Sequence, residues 1–251
     1  MRLASILFTC MLASCVADAP TSPEPPGTPT DPTDPTDPDD SPDETRPTRT
    51  VLLIPGTTIT GDWFDTMAER LRRDGFEPVV YEPPDLLTGP LADGAAGIGQ
   101  AIRDRIAATG ESRIHVVAEC NGGVATRYYL QVLGGSAHVD QVVTFVSAHH
   151  GTWEAPFGSL VVPSLADITP GSPFLETMDR APFPAGLKLT SIYSCWDEFM
   201  IPYTTSRVDG ATNVEFCDHV LTHFDGFSDP VVYERILATL RGNGDTAPTS
   251  Y

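Results

Sequence analysis

The sequence predicts an α/β domain, with a mostly parallel sheet covered by helices on both faces. Three observations carry that expectation. Between Thr50 and Arg241, short apolar runs of β-forming residues alternate with helix-like segments, the order of parallel strands joined by crossover helices. At Arg113 to Gly123, one run stops at a Cys and a Gly pair and gives way at once to a helix-like stretch. The length of this body suits a single domain with a full core.

The elements follow in order. Thr50-Val-Leu-Leu-Ile54 reads as a buried strand and Trp63 to Arg73 as a helix ended by Gly75. Glu77 to Tyr81 is a second strand, and Ala92 to Ala108 a helix ended by Gly110. Ile114 to Ala118 is the third strand, leading through the sharp turn into a helix over Val124 to Leu133. Strands over Gln141 to Val146, Leu187 to Tyr193 and Asn213 to Phe216 come next, and a last helix runs from Asp229 to Leu240. No internal repeat is visible in this part. Residues 242–251 read as a flexible tail.

Ahead of the body lie two segments of other character. Met1-Arg2 and the apolar run Leu3 to Leu12 form a secretory signal, too short to span a bilayer as a mature helix. Leu12-Ala-Ser-Cys15 resembles the lipobox of bacterial lipoproteins, which implies cleavage before Cys15 and lipid attachment to its sulfur. An ordinary signal peptide cut after Ala17 or Ala19 is the alternative. Either reading exports the protein, lipid-anchored in the cell envelope or secreted. Ala19 to Thr48 is mostly Pro, Thr, Asp and Glu with no aliphatic or aromatic side chain to anchor a core, an extended tether reaching to about residue 49. A net charge of −19 argues against nucleic acid as a partner. No later stretch is long and apolar enough to cross a membrane.

Three places have the residues of acyl-transfer chemistry. In the nucleophile elbow of α/β-hydrolases, a strained strand-to-helix turn lifts the nucleophile above the sheet edge, and small neighbours keep strand and helix apart. Cys120 holds that position in Ala118-Glu-Cys-Asn-Gly122, where the usual nucleophile is Ser. Read alone, Cys120 is equally a buried small hydrophobe. Pro55-Gly-Thr-Thr58 follows the first strand, where a loop donating one oxyanion N–H belongs, although Pro and Gly make a plain turn there too. Asp197 lies just beyond a predicted strand end, a favoured place for catalytic groups, and is otherwise a solvated loop carboxylate. His223 precedes the last helix, giving the order nucleophile, acid, base.

From Thr50 to Leu240 the chain resembles the α/β-hydrolases, close to the minimal secreted lipases of lipase class 2. The resemblance rests on Val51-Leu-Leu-Ile-Pro-Gly-Thr57, the elbow, Ser147-Ala-His-His-Gly-Thr152 and Pro170-Gly-Ser-Pro-Phe-Leu175. It continues through Ser191-Ile-Tyr-Ser-Cys-Trp-Asp-Glu198, Asp209-Gly-Ala-Thr-Asn-Val214 and His223-Phe-Asp-Gly-Phe-Ser-Asp-Pro230. It implies an α/β-hydrolase fold, Asp197 and His223 as triad acid and base, and the N–H groups of Thr57 and Asn121 as the oxyanion hole. His219 is the rival base, and spacing to Asp229-Pro230 favours His223. Of the five Cys, Cys10 leaves with the signal, Cys195 and Cys217 are expected to form a disulfide like that of the relatives, and Cys120 is the free thiol.

The departure from the lipase pattern is Glu119-Cys120-Asn121, where relatives usually have His-Ser followed by Met or Gln. Dienelactone hydrolases and polyhydroxyalkanoate synthases are similar in placing Cys at this elbow. A thiol at a helix N-terminus beside an imidazole is expected to ionise near neutral pH. Glu119 is expected to point into the sheet without a catalytic role. The resulting expectation is a carboxylic-ester hydrolase working through a Cys-His-Asp triad and a thioester, on a small-molecule or lipid ester. A thioesterase or acyltransferase with the same residues, or an inactive surface lipoprotein of lipase ancestry, are the alternatives. Trp153 to Gly186 holds apolar residues for an acyl pocket or for ordinary core. His149 and His150 read as structural, with His150 near the pocket. No spacing suggests a metal site, the mechanism requires no cofactor, and a monomer is expected.

Overall fold

A computed structural model describes residues 48–243. The signal segment with Cys15, the tether and nearly all of the C-terminal tail lie outside the described residues. The chain runs β1 (Thr50–Ile54), α1 (Asp65–Arg73), β2 (Glu77–Val80), α2 (Leu91–Thr109), β3 (Ile114–Glu119), α3 (Cys120–Gln131) and β4 (Val139–Phe145). It continues through three short helices, α4 (Ala155–Gly158), α5 (Pro163–Asp167) and α6 (Pro173–Arg180), to β5 (Lys188–Ser194), β6 (Thr212–Phe216) and α7 (Pro230–Leu240).

The six strands form one parallel sheet in the order β2-β1-β3-β4-β5-β6. Every residue of β1 and β3 is buried, which is why both read as largely apolar runs. Side chains alternate between faces. Leu52 and Ile54 of β1 pack with Ile98 and Ile102 of α2 and Val124 and Leu130 of α3. Val51 and Leu53 pack on the other side with Met67 and Leu71 of α1 and Val232 and Ile236 of α7. The sheet is therefore covered on both faces, as expected.

Strand order reverses between β1 and β3, so the loops leaving their carboxyl ends diverge and open a crevice there. Both the Pro55-Gly56-Thr57 loop and the Cys120 turn emerge at this point. Two differences from the sequence reading matter. Helix α3 begins at Cys120 rather than at Val124, because Gly122 and Gly123 extend it instead of interrupting it. The stretch between β4 and β5 is helical in three pieces, each with Pro at its start, and the Ser172 hydroxyl caps α6 by accepting from Leu175 N at 3.2 Å.

Candidate active site

Glu119 ends β3 in extended backbone, and Cys120 opens α3 with φ at +47°. A non-glycine residue in the left-handed region costs of order 1–3 kcal/mol and persists only where the surroundings enforce it. Here packing enforces it. A Cβ on Gly122 would stand 2.8 Å from Ile54 O and closer still to Pro55 O, and backbone carbonyls cannot step aside. The bare glycine lets α3 start directly against β1, and the turn presents Cys120 Sγ to the crevice.

His223 reaches the same point from the loop between β6 and α7. Its Nδ1 lies 3.0 Å from both carboxylate oxygens of Asp197, three residues beyond β5. Asp197 Oδ1 also accepts from Phe199 N at 2.9 Å and Met200 N at 3.0 Å, so the carboxylate is fixed before it orients the ring. The rings of Phe199 and Phe224 meet the imidazole edge-on at 5.0 and 5.1 Å, and His223 is 4% exposed. Glu198 Oε2 accepts from His223 N at 3.1 Å. The structure thus brings together Cys120, Asp197 and His223, and donor atoms of Cys120 and His223 lie within 4.8 Å of one another.

His219 goes elsewhere. Its Nε2 pairs with Asp229 Oδ2 at 2.9 Å, and Asp229 caps α7. His149 is buried with Nε2 3.0 Å from Thr144 Oγ1; burial pushes its pKa well down, and Arg127 and His150 add to that. His150 faces Asp179 at 3.4 Å and does not line the cavity.

Glu119 departs furthest from the sequence reading. Instead of standing apart from the chemistry, its side chain lies wholly buried beneath the turn. Oε2 accepts from Gly56 N at 2.8 Å, and Oε1 stands 3.4 Å from His223 Nε2 without a hydrogen bond of its own. A Cβ at Gly56 would come 2.5 Å from Oε2 and 2.7 Å from Cys120 Cβ, so this glycine makes the room for Glu119. Two carboxylates therefore flank the two ring nitrogens of His223.

That changes the electrostatics. Burial would lower the His223 pKa, but an ionised Cys120 sulfur, the Asp197 hydrogen bond and Glu119 outweigh it and raise it, favouring the imidazolium once the thiolate forms. Burial and the Glu119 charge push the Cys120 thiol up, with His223 pulling it back. The low-pKa thiolate expected from the sequence is thus opposed by burial and Glu119 and favoured by His223.

Thr57 and Asn121 are tied to one another. Asn121 Nδ2 donates to Thr57 Oγ1 at 2.8 Å, and that hydroxyl donates to Leu87 O at 2.9 Å and lies 3.1 Å from Ser164 Oγ. This bond fixes the β1 loop against the start of α3. Leu87 and Ser164 sit far from the elbow in sequence, and no local pattern marks them.

Above these groups opens a cavity of about 450 Å³. Cys120, Asn121, Glu119 and His223 line its polar end, and Ile59, Val162, Leu165, Ile168 and Met200 line much of the remainder. Around α4 the surface is apolar, with Phe157 85% and Leu160 96% exposed. A disulfide joins Cys195 and Cys217, as expected, and Cys120 is the free thiol among the described residues. A three-residue group able to hold a metal exists at Glu119, Cys120 and His223; a second, around Glu215, uses the two disulfide sulfurs and so has no thiolate to offer.

No protein-family model matches this sequence, and no curated protein matches it. Solved structures do. The mature form of a Bacillus licheniformis lipase, BlEst2, matches with a TM-score of 0.66 at 17% identity over 84% of this chain and 96% of that one. Aspergillus fumigatus lipase B matches with a TM-score of 0.65 at 19% identity over 82% of this chain, which spans 56% of the fungal one. The ydeN gene product of Bacillus subtilis matches at 0.54 and 17% identity over 78% of this chain and 100% of that one. What is shared at these identities is the backbone, and with its six parallel strands, two helical layers and strained turn after β3 this chain has the α/β-hydrolase fold.

Proposed function

We propose that the chain is a carboxylic-ester hydrolase whose nucleophile is Cys120. The observation that carries this reading is the convergence of a strained elbow thiol with an Asp197-oriented His223 at the end of an apolar cavity. Lipases among the solved structures of the same fold support the reaction class, and the cavity supports an apolar acyl group.

In the proposed sequence, the ester enters with its acyl chain along Val162, Leu165 and Ile168. The Cys120 thiol gives its proton to His223 as Sγ adds to the carbonyl carbon. Asp197 and Glu119 stabilise the imidazolium. The N–H groups of Thr57 and Asn121 hold the oxyanion, kept in place by the bond between their side chains. Collapse expels the alkoxide, which takes the proton from His223, and leaves a thioester on Cys120. Water then adds to the thioester while His223 takes its proton, and the acid leaves as Sγ is reprotonated. Export, with Cys15 as the lipid attachment point, belongs to the same reading.

The test is mass spectrometry of the protein with a short p-nitrophenyl ester, alongside Cys120→Ser and His223→Ala. An acyl adduct on Cys120, with turnover falling by about 10³-fold or more in His223→Ala, is the expected result. An adduct that accumulates without release points to acyl transfer instead. Absence of adduct and of turnover overturns the reading.

A further inference from the structure

We propose that Glu119 Oε1, Cys120 Sγ and His223 Nε2 form a three-ligand site for a thiophilic divalent cation of the zinc type, and that occupation blocks the nucleophile. The blocking rests on the hydrolase reading above; the binding does not.

Three features of the geometry carry the site. The donor atoms all lie within 4.8 Å of one another, and they offer one carboxylate, one thiolate and one imidazole, a donor set suited to zinc. Two ligands each about 2.1 Å from a tetrahedral ion stand roughly 3.4 Å apart. Glu119 Oε1 and His223 Nε2 are 3.4 Å apart. At that separation the two have little hydrogen bond to lose, and Oε1, wholly buried, has no other partner.

Each ligand is also already held from behind. Asp197 receives the Nδ1–H of His223, which aims the Nε2 lone pair inward, and Gly56 N–H binds Oε2 of Glu119, which leaves Oε1 turned to the cavity. A carboxylate behind a ligating imidazole and a hydrogen bond behind a ligating carboxylate are the outer supports of metal centres. The fourth position faces the cavity, open to water or a small anion.

Charge favours loading. The unloaded site holds two buried carboxylates against one imidazole. A dication bound by one thiolate and one carboxylate is neutralised locally. The cation takes the place of the one proton that Sγ and Nε2 exchange, which leaves to solvent. Sγ is then bound to metal and cannot attack a carbonyl.

Isothermal titration of the full chain with Zn²⁺, and optical titration with Co²⁺, test the site directly. The expected result is one equivalent of Zn²⁺ and a thiolate-to-Co²⁺ charge-transfer band. Cys120→Ser should lose the band, and Glu119→Gln should bind Zn²⁺ at least about tenfold more weakly. Failure of the wild type to bind one equivalent, or equal binding by both variants, overturns the site. Ester turnover should fall in step with Zn²⁺ occupancy and return with chelator. Turnover unchanged at full occupancy overturns the block while leaving the site. A chain that binds Zn²⁺ and never hydrolyses an ester refutes the hydrolase reading without touching the site.

Discussion

At the scale of single residues, the site is built by what two glycines lack. A Cβ at Gly56 would overlap Glu119 Oε2, and one at Gly122 would press on the carbonyls of Ile54 and Pro55. In Gly56→Ala one obstacle, the Glu119 carboxylate, can swing aside by giving up its bond to Gly56 N, while the other, Cys120 Cβ at 2.7 Å, must shift with the turn. In Gly122→Ala only the backbone can move. Urea titration is therefore expected to show a larger loss for Gly122→Ala, about 1–3 kcal/mol, than for Gly56→Ala. Ester turnover is expected to fall in both. The elbow was legible because its need for small residues is local: Gly122 stands two places after Cys120. Glu119 was not legible, since its partners Gly56 and His223 are 63 and 104 residues away in sequence and only the fold brings them to it. The one available signal was a carboxylate where the relatives carry His.

Among the elements, the start of α7 decides between the two histidines. Asp229 Oδ1 accepts from Val231 N at 2.8 Å and Val232 N at 3.0 Å, and Oδ2 pairs with His219. His219 is thereby held at a helix cap while His223, four residues on, reaches Asp197. Asp229→Ala should cost about 0.5–2 kcal/mol in urea or thermal unfolding. Its pH dependence has a definite sign. Burial pushes the Asp229 pKa up, but the His219 hydrogen bond and those from Val232 and Val231 bring it below the usual carboxylate range. A group depressed in the folded state stabilises above its unfolded pKa of about 3.9, and that contribution is lost as pH falls through the lower, folded value. The stability gap between wild type and Asp229→Ala should thus be full at neutral pH and close in strong acid. Strands and long helices were readable from apolar runs and end signals such as Gly75 and Gly110. The short helices α4, α5 and α6 were not, because four to eight residues give too little periodicity and their packing partners lie elsewhere in the chain.

For the molecule as a whole, the sheet acts as a frame with its working groups at one edge. Thr57 follows β1, Cys120 follows β3, Asp197 follows β5 and His223 follows β6, so relative strand positions set the distances on which any chemistry depends. The parallel sheet and the order of these groups could be read from the sequence, because strand, turn and helix signals recur along it. Their separations could not, since register is a property of paired strands. The central strands are held by neighbours on both sides, whereas β6 is an edge strand paired only to β5. There the disulfide between Cys195 and Cys217 supplies a second tie, joined by Cys195 N donating to Phe216 O at 3.0 Å and Trp196 Nε1 donating to Cys217 O at 3.0 Å. It closes a loop between residues 22 apart, worth about 3 kcal/mol in chain entropy. Cys195→Ala/Cys217→Ala should unfold at lower urea by about that amount, and turnover should fall by more than the folded fraction explains, because the bridge spans the loops that bring Asp197 to His223. Turnover per folded molecule unchanged in the double variant would show that the sheet alone holds the pair, and that the bridge serves stability only.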